Sequence, residues 1–176
     1  MRGLAFLVVS AALVAAPARA QQPAAPAAPT PCTAAEHRQF DFWVGQWTVT
    51  DPTGRKVGES EITREFNGCV IRERWNVRTP RGGGESLNGW DAAKRRWHQT
   101  WMDAQGNVAQ IEGALRDSSM ILTRTTPSPA DSTVTVIHRW TWTPRDADHV
   151  RQLWETSTDG GKTWNTMFDG RYARRS

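Results

Sequence analysis

From Phe42 to Tyr172 the chain alternates bulky apolar and polar side chains with a period of two, broken repeatedly by short runs of Asp, Asn, Gly and Pro. Trp97/Gln99/Trp101, Trp140/Trp142 and Val150/Gln152/Trp154 are the clearest cases. In an extended strand, residues i and i+2 share a face, so each group marks one side of a sheet. The pattern predicts ten strands over 42–50, 55–66, 69–78, 85–90, 96–102, 108–115, 120–125, 132–143, 149–157 and 163–172. Turns fall at Asp51-Pro52-Thr53-Gly54, Asp103-Ala104-Gln105-Gly106 and Asp159-Gly160-Gly161, with a hairpin signal at Asn67-Gly68. Ahead of them, Thr33-Ala34-Ala35-Glu36 fits a capping box and predicts a short helix over 34–39.

Short connections throughout imply an antiparallel up-and-down meander. Ten such strands leave two open edges unless the sheet closes on itself. The fold expected is therefore all-β, a ten-stranded closed barrel with a short N-terminal helix; a two-sheet sandwich is the alternative. The apolar parity carries one polar group per strand: Glu73 within Ile71/Glu73/Trp75, Gln99, Gln152, and His138 within Val136/His138/Trp140. The expected interior lining is Glu73, Trp75, Asn88, Gln99, Trp101, His138, Trp140, Gln152 and Trp154. Aromatic walls with a few polar groups are how ligand cavities are built. A solid core with mutually bonded polar groups would read the same way, and eight to ten strands can be filled or hollow.

Composition sharpens this picture. All ten tryptophans follow residue 42. Residues 1–20 read as a secretory leader: Arg2 at its start, an apolar stretch from Leu4 to Val14, and Ala18-Arg19-Ala20 for cleavage. The apolar run is too short to span a membrane, and no later segment is long enough. The expected mature chain begins near Gln21, periplasmic or secreted, with an Ala/Pro-rich linker over 21–31 and one domain over 32–176. Without Arg2 and Arg19, 22 basic residues become 20 against 18 acidic ones, a net +2. That balance, with no basic run interleaved with aromatics, gives no sign of nucleic-acid binding. Two cysteines in an exported chain pair, so a Cys32–Cys69 disulfide is expected.

Gly45-Gln46-Trp47, after a helix and before the strands, resembles the Gly-x-Trp element that opens lipocalin and wider calycin barrels. The resemblance implies that Trp47 closes one barrel end beneath an arginine of the last strand. Arg171 in Phe168-Asp169-Gly170-Arg171-Tyr172 is the nearest match. Over Cys32 to Tyr172 the chain also resembles an uncharacterised family of exported bacterial lipocalin-like domains. The stretches that carry this are 40–47, Asn67-Gly68-Cys69, Trp90-Asp91, 99–103 and 157–164. That resemblance implies fold and export, and no activity. Ser157 to Trp164 also fits the Asp-box of sialidase propellers, but propellers need repeated copies and here there is one.

Catalytic and metal motifs are absent: there is no Gly-x-Ser-x-Gly, no His-Glu-x-x-His, and no histidine pair at ligand spacing. No metal and no cofactor are expected. Nitrobindin-like proteins are small barrels holding haem through one histidine; His138 and His149 would serve here, although that family's Gly-rich opening motif is missing. Glu73, Glu112 and Glu155 are the carboxylates an enzyme would draw on, and burial opposite arginines is their simpler explanation. The leading expectation is an exported, non-catalytic barrel binding a small apolar or amphipathic molecule. An interaction module with a filled core, a haem protein and an enzyme are the alternatives.

Overall fold

The computed structural model describes residues 32–77 and 82–175. They form ten strands: β1 (Gly45–Thr50), β2 (Lys56–Glu65), β3 (Val70–Asn76), β4 (Gly84–Asp91), β5 (Arg96–Asp103), β6 (Val108–Arg116), β7 (Ser119–Pro127), β8 (Thr135–Pro144), β9 (His149–Ser157) and β10 (Asn165–Arg174). Each pairs antiparallel with its chain neighbours, and β1 also pairs with β10, so the sheet closes into a barrel. Closure removes both edges, and the sandwich is not formed. The predicted leader and linker, and Arg78 to Arg81 of the β3–β4 loop, lie outside the described residues.

The entry to the barrel differs from the sequence expectation. The predicted helix is a single 3-10 turn, Ala35–Arg38, with Ala34 at its N-cap. Residues 41–43 make a second such turn instead of beginning β1. Phe40 and Trp43 are three apart and both fully buried, their rings stacked at 4.9 Å. Helical spacing puts i and i+3 on one side, whereas a strand would have sent them to opposite faces. The Asn67-Gly68 hairpin is likewise wider than two residues. Glu65 pairs with Val70, and Phe66, Asn67 and Gly68 all take left-handed backbone.

This 35–43 segment plugs the end of the barrel where the odd-numbered strands begin. Phe40 meets Trp97 and Trp142 edge-on, at 5.7 and 5.3 Å, and Trp43 packs on Trp142. Trp97 donates its indole N–H to Gln39, and Trp47 donates to the Trp43 carbonyl. The Cys32–Cys69 disulfide, with Cα atoms 5.1 Å apart, ties the plug to the β2–β3 turn. Arg38 bonds the carbonyls of Cys32 and Gly68 and so joins the same two segments. Such a bond belongs to a chain folded in an oxidising compartment.

The arginine over Trp47 is Arg174, at 4.3 Å, and not Arg171. Tyr172 faces inward, so Arg174 shares its side of β10 while Arg171 is exposed on the other. Arg174 also reaches the carbonyls of Val44 and Ala147. Gly45 makes room for it: φ is +148°, and any Cβ there would overlap the guanidinium.

Two outcomes are expected in denaturant melts. Replacing both Cys32 and Cys69 by Ser, which opens a loop of sequence separation 37, should lower the unfolding free energy by about 4 kcal/mol in the chain-entropy picture. Arg174→Ala should cost about 1–2 kcal/mol, and Arg171→Ala less than about 0.5 kcal/mol.

Candidate functional site

The end opposite the plug holds a cavity of about 440 Å³. Its walls are Trp75 (β3), Trp101 (β5), Trp140 (β8), Trp154 (β9) and Phe168 (β10), with Ala109 and Ile111 from β6. Three of these rings are accommodated by glycines on the inner face. A Cβ at Gly58 would lie 2.6 Å from the Trp75 ring, and one at Gly170 would lie 2.5 Å from Phe168. A Cβ at Gly84 would overlap Trp101. Each ring therefore lies back along the wall over a position without a side chain, which leaves the lumen open. Trp101 is also held by a hydrogen bond to Asp103, whose carboxylate is itself fastened to the Gln105 and Asn107 amides.

The floor is polar. Glu73 is 4% exposed and accepts hydrogen bonds from Ser60 on β2 (2.9 Å) and Ser86 on β4 (3.3 Å). Asn88 donates to Ser86 and to the Ile71 carbonyl, and Gln99 donates to Asn88. These side chains come from four adjacent strands at registered inward positions, as Glu73↔Ser86 and Asn88↔Gln99 show. Satisfying one another is what makes their burial tolerable. Across the floor, Tyr172 donates to Gln152 at 2.5 Å.

Glu73 has no cationic partner in this network. Burial pushes its carboxyl up to about 7, against the lowering effect of the two serine hydroxyls. Burial, helped by the Glu73 charge, also holds Tyr172 well above the usual phenol range. The acid expected to lie opposite an arginine is thus packed among neutral groups. The other two carboxylates do lie opposite cations, on the outer face: Glu112 with Lys94 and Arg96, Glu155 with Arg139.

Seven of the nine expected lining residues reach the cavity: Glu73, Trp75, Gln99, Trp101, Trp140, Gln152 and Trp154. Asn88 lies below it, inside the floor network. His138 sits on the rim side of Trp140, bonded through Nε2 to Thr126 and stacked parallel to Trp140 and Trp154. Burial, with Arg124 nearby, holds its pKa below the usual imidazole value. Eight further residues line the cavity, among them Arg124, Phe168, Tyr172 and Asn107. Arg124 shares the parity of Met120 and Leu122, a readable signal. Phe168 and Tyr172 follow a register shift between Thr166 and Phe168, across which parity cannot be carried. Asn107 lies in a turn, where alternation says nothing.

The histidines do not fit haem. His138 is occupied at Nε2 and does not line the cavity, and its Nδ1 is enclosed. His149 is at the plugged end, exposed and bonded to Asp146 at 2.8 Å. The Asp-box loop is a fastening device: Asp159 accepts from the Lys162 and Thr163 amides, Trp164 donates to the Gly161 carbonyl, and Arg139 stacks on Trp164 at 3.7 Å. Compared with protein-family models and with curated proteins, the chain matches none.

A buried acid with a raised pKa favours the unfolded state as pH rises. Below about 4.5 both states are protonated; towards 7 only the unfolded chain has ionised. Relative to Glu73→Gln, the wild type should lose stability between those values, by on the order of 3 kcal/mol, and stay lower above them. Paired denaturant melts at pH 4 and pH 8 measure the difference.

Proposed function

We propose that this barrel binds one small amphipathic molecule in its open end, as an exported carrier or receptor and not as an enzyme. The observation that carries the proposal is the cavity of about 440 Å³, walled by four indoles and a phenyl over a polar floor. That volume lies within the range of small-molecule sites, and the mixture of contact surface and a few orienting groups is theirs. A filled-core interaction module has no use for rings laid back over glycines. Among the described residues, Glu73 has serine hydroxyls as its hydrogen-bonding partners, with no second carboxylate or imidazole bonded to it to share proton transfer.

Gly45-Gln46-Trp47 beneath Arg174, together with barrel closure, supports placing the chain among the lipocalin-like exported domains. The disulfide supports the periplasm or cell exterior as its location.

Trp101→Ala tests the site. Its ring lies in the cavity wall and its loss leaves the plug intact, so affinity should fall at least tenfold while Tm drops by less than about 4 °C. Trp142→Ala, on β8 against the plug, should instead cost about 3–5 kcal/mol of stability. Tryptophan emission, titrated with a panel of lipids, isoprenoids and aromatic compounds, reads the binding. An emission unmoved by the whole panel would overturn the binding role.

A further inference from the structure

Building on the binding role proposed above, we infer that the ligand is an organic cation with an apolar body, its ammonium group seated against Glu73 and its body between the indoles. Glu73 is a carboxylate at the cavity floor, and nothing in its hydrogen-bond network is positive: Ser60 and Ser86 reach it directly, Asn88 and Gln99 behind them. The guanidinium groups on either side of Glu73 along β3 are committed outside the barrel, Arg72 and Arg74 both to Glu85. A buried carboxylate is costly until a counter-charge arrives. Among the described residues none is supplied on the floor; a cationic ligand would supply it.

The walls favour the same chemistry. An aromatic ring presents a negative face, and a cation within about 6 Å of its centroid is attracted to it. This interior already uses that contact at its rim, where the Arg124 guanidinium lies 5.9 Å from the Trp140 centroid. An anionic amphiphile, such as a fatty carboxylate, would bring a second negative charge to a floor that holds one.

Binding is then coupled to a proton. Among the described residues, the titratable groups that share the interior with Glu73 are Tyr172 from β10, His138 from β8, Arg124 from β7 and Asp103 from β5; β2 and β4 face it with hydroxyls. Tyr172 remains a phenol, and His138 and Asp103 stand towards the rim with partners of their own. Around neutral pH the empty site holds a partly protonated Glu73. A permanent cation entering it leaves an ammonium–carboxylate pair and sends that proton to solvent.

The probes are (2-naphthylmethyl)trimethylammonium and its uncharged isostere 2-neopentylnaphthalene, titrated by tryptophan emission into the disulfide-bonded protein. At pH 8 the cation should bind at least tenfold more tightly than the isostere, and at pH 5.5 this preference should shrink at least threefold. Calorimetry at pH 7 in two buffers of different ionisation enthalpy should show release of a fraction of a proton. Glu73→Gln should abolish both the preference and the proton release. Equal affinities at pH 8, or a preference that Glu73→Gln leaves intact, would overturn the cation assignment. If that variant does not fold, the wild-type pH series and proton count decide alone. A neutral or anionic member of the wider panel binding more tightly than the cation would refute the assignment and keep the binding role; silence from every probe would remove both.

Discussion

Four residue pairs, Trp47 to Thr50 against Arg174 back to Arg171, join the first strand to the last and turn a ten-stranded ribbon into a tube. Without that seam, β1 and β10 would present unpaired amides to solvent and the inner face would have no opposite wall to pack against. The seam is short, and much of the plugged end is built to hold it. Arg174 lies over Trp47, grips the Val44 carbonyl just ahead of β1, and reaches the β8–β9 loop through the Ala147 carbonyl. The glycine of the Gly-x-Trp element is there because the guanidinium occupies the place of its side chain.

A closed tube of this girth has more interior than its strands' own side chains fill, and the two ends meet that fact in opposite ways. At one end a separate piece of chain is inserted, and Phe40, Trp43, Trp97 and Trp142 interlock without exposed surface. At the other, the aromatic rings are as large but three of them are drawn back over Gly58, Gly84 and Gly170. The same residue type thus builds a solid core and a hollow one. What differs is whether the neighbouring inward positions carry side chains.

Between these halves lies the polar layer of Ser60, Glu73, Ser86, Asn88 and Gln99. Its hydrogen bonds run from strand to strand in one sense, amide to hydroxyl to carboxylate, so that Glu73 is the final acceptor. Mutual bonding accounts for the amides and hydroxyls, but it cannot neutralise a charge. The layer is therefore complete as a structure and incomplete as an electrostatic arrangement, and a cavity opens where that incompleteness lies.

Strand number, strand order, the inward side of β3, β5, β8 and β9, and the cysteine pairing were all legible in the sequence. Each follows from local rules: alternation assigns faces, turn residues assign breaks, and two thiols in an oxidising compartment pair. Alternation alone marked the seven expected positions that line the cavity. The helical turn at 41–43, the register shift before Phe168 and the choice of Arg174 over Arg171 were not legible, because each depends on what arrives from elsewhere in the chain. Whether the tube is hollow was decided only by tertiary structure. Alternation says which way a tryptophan points, but how far its ring reaches into the lumen is set by the residue beside it on the next strand.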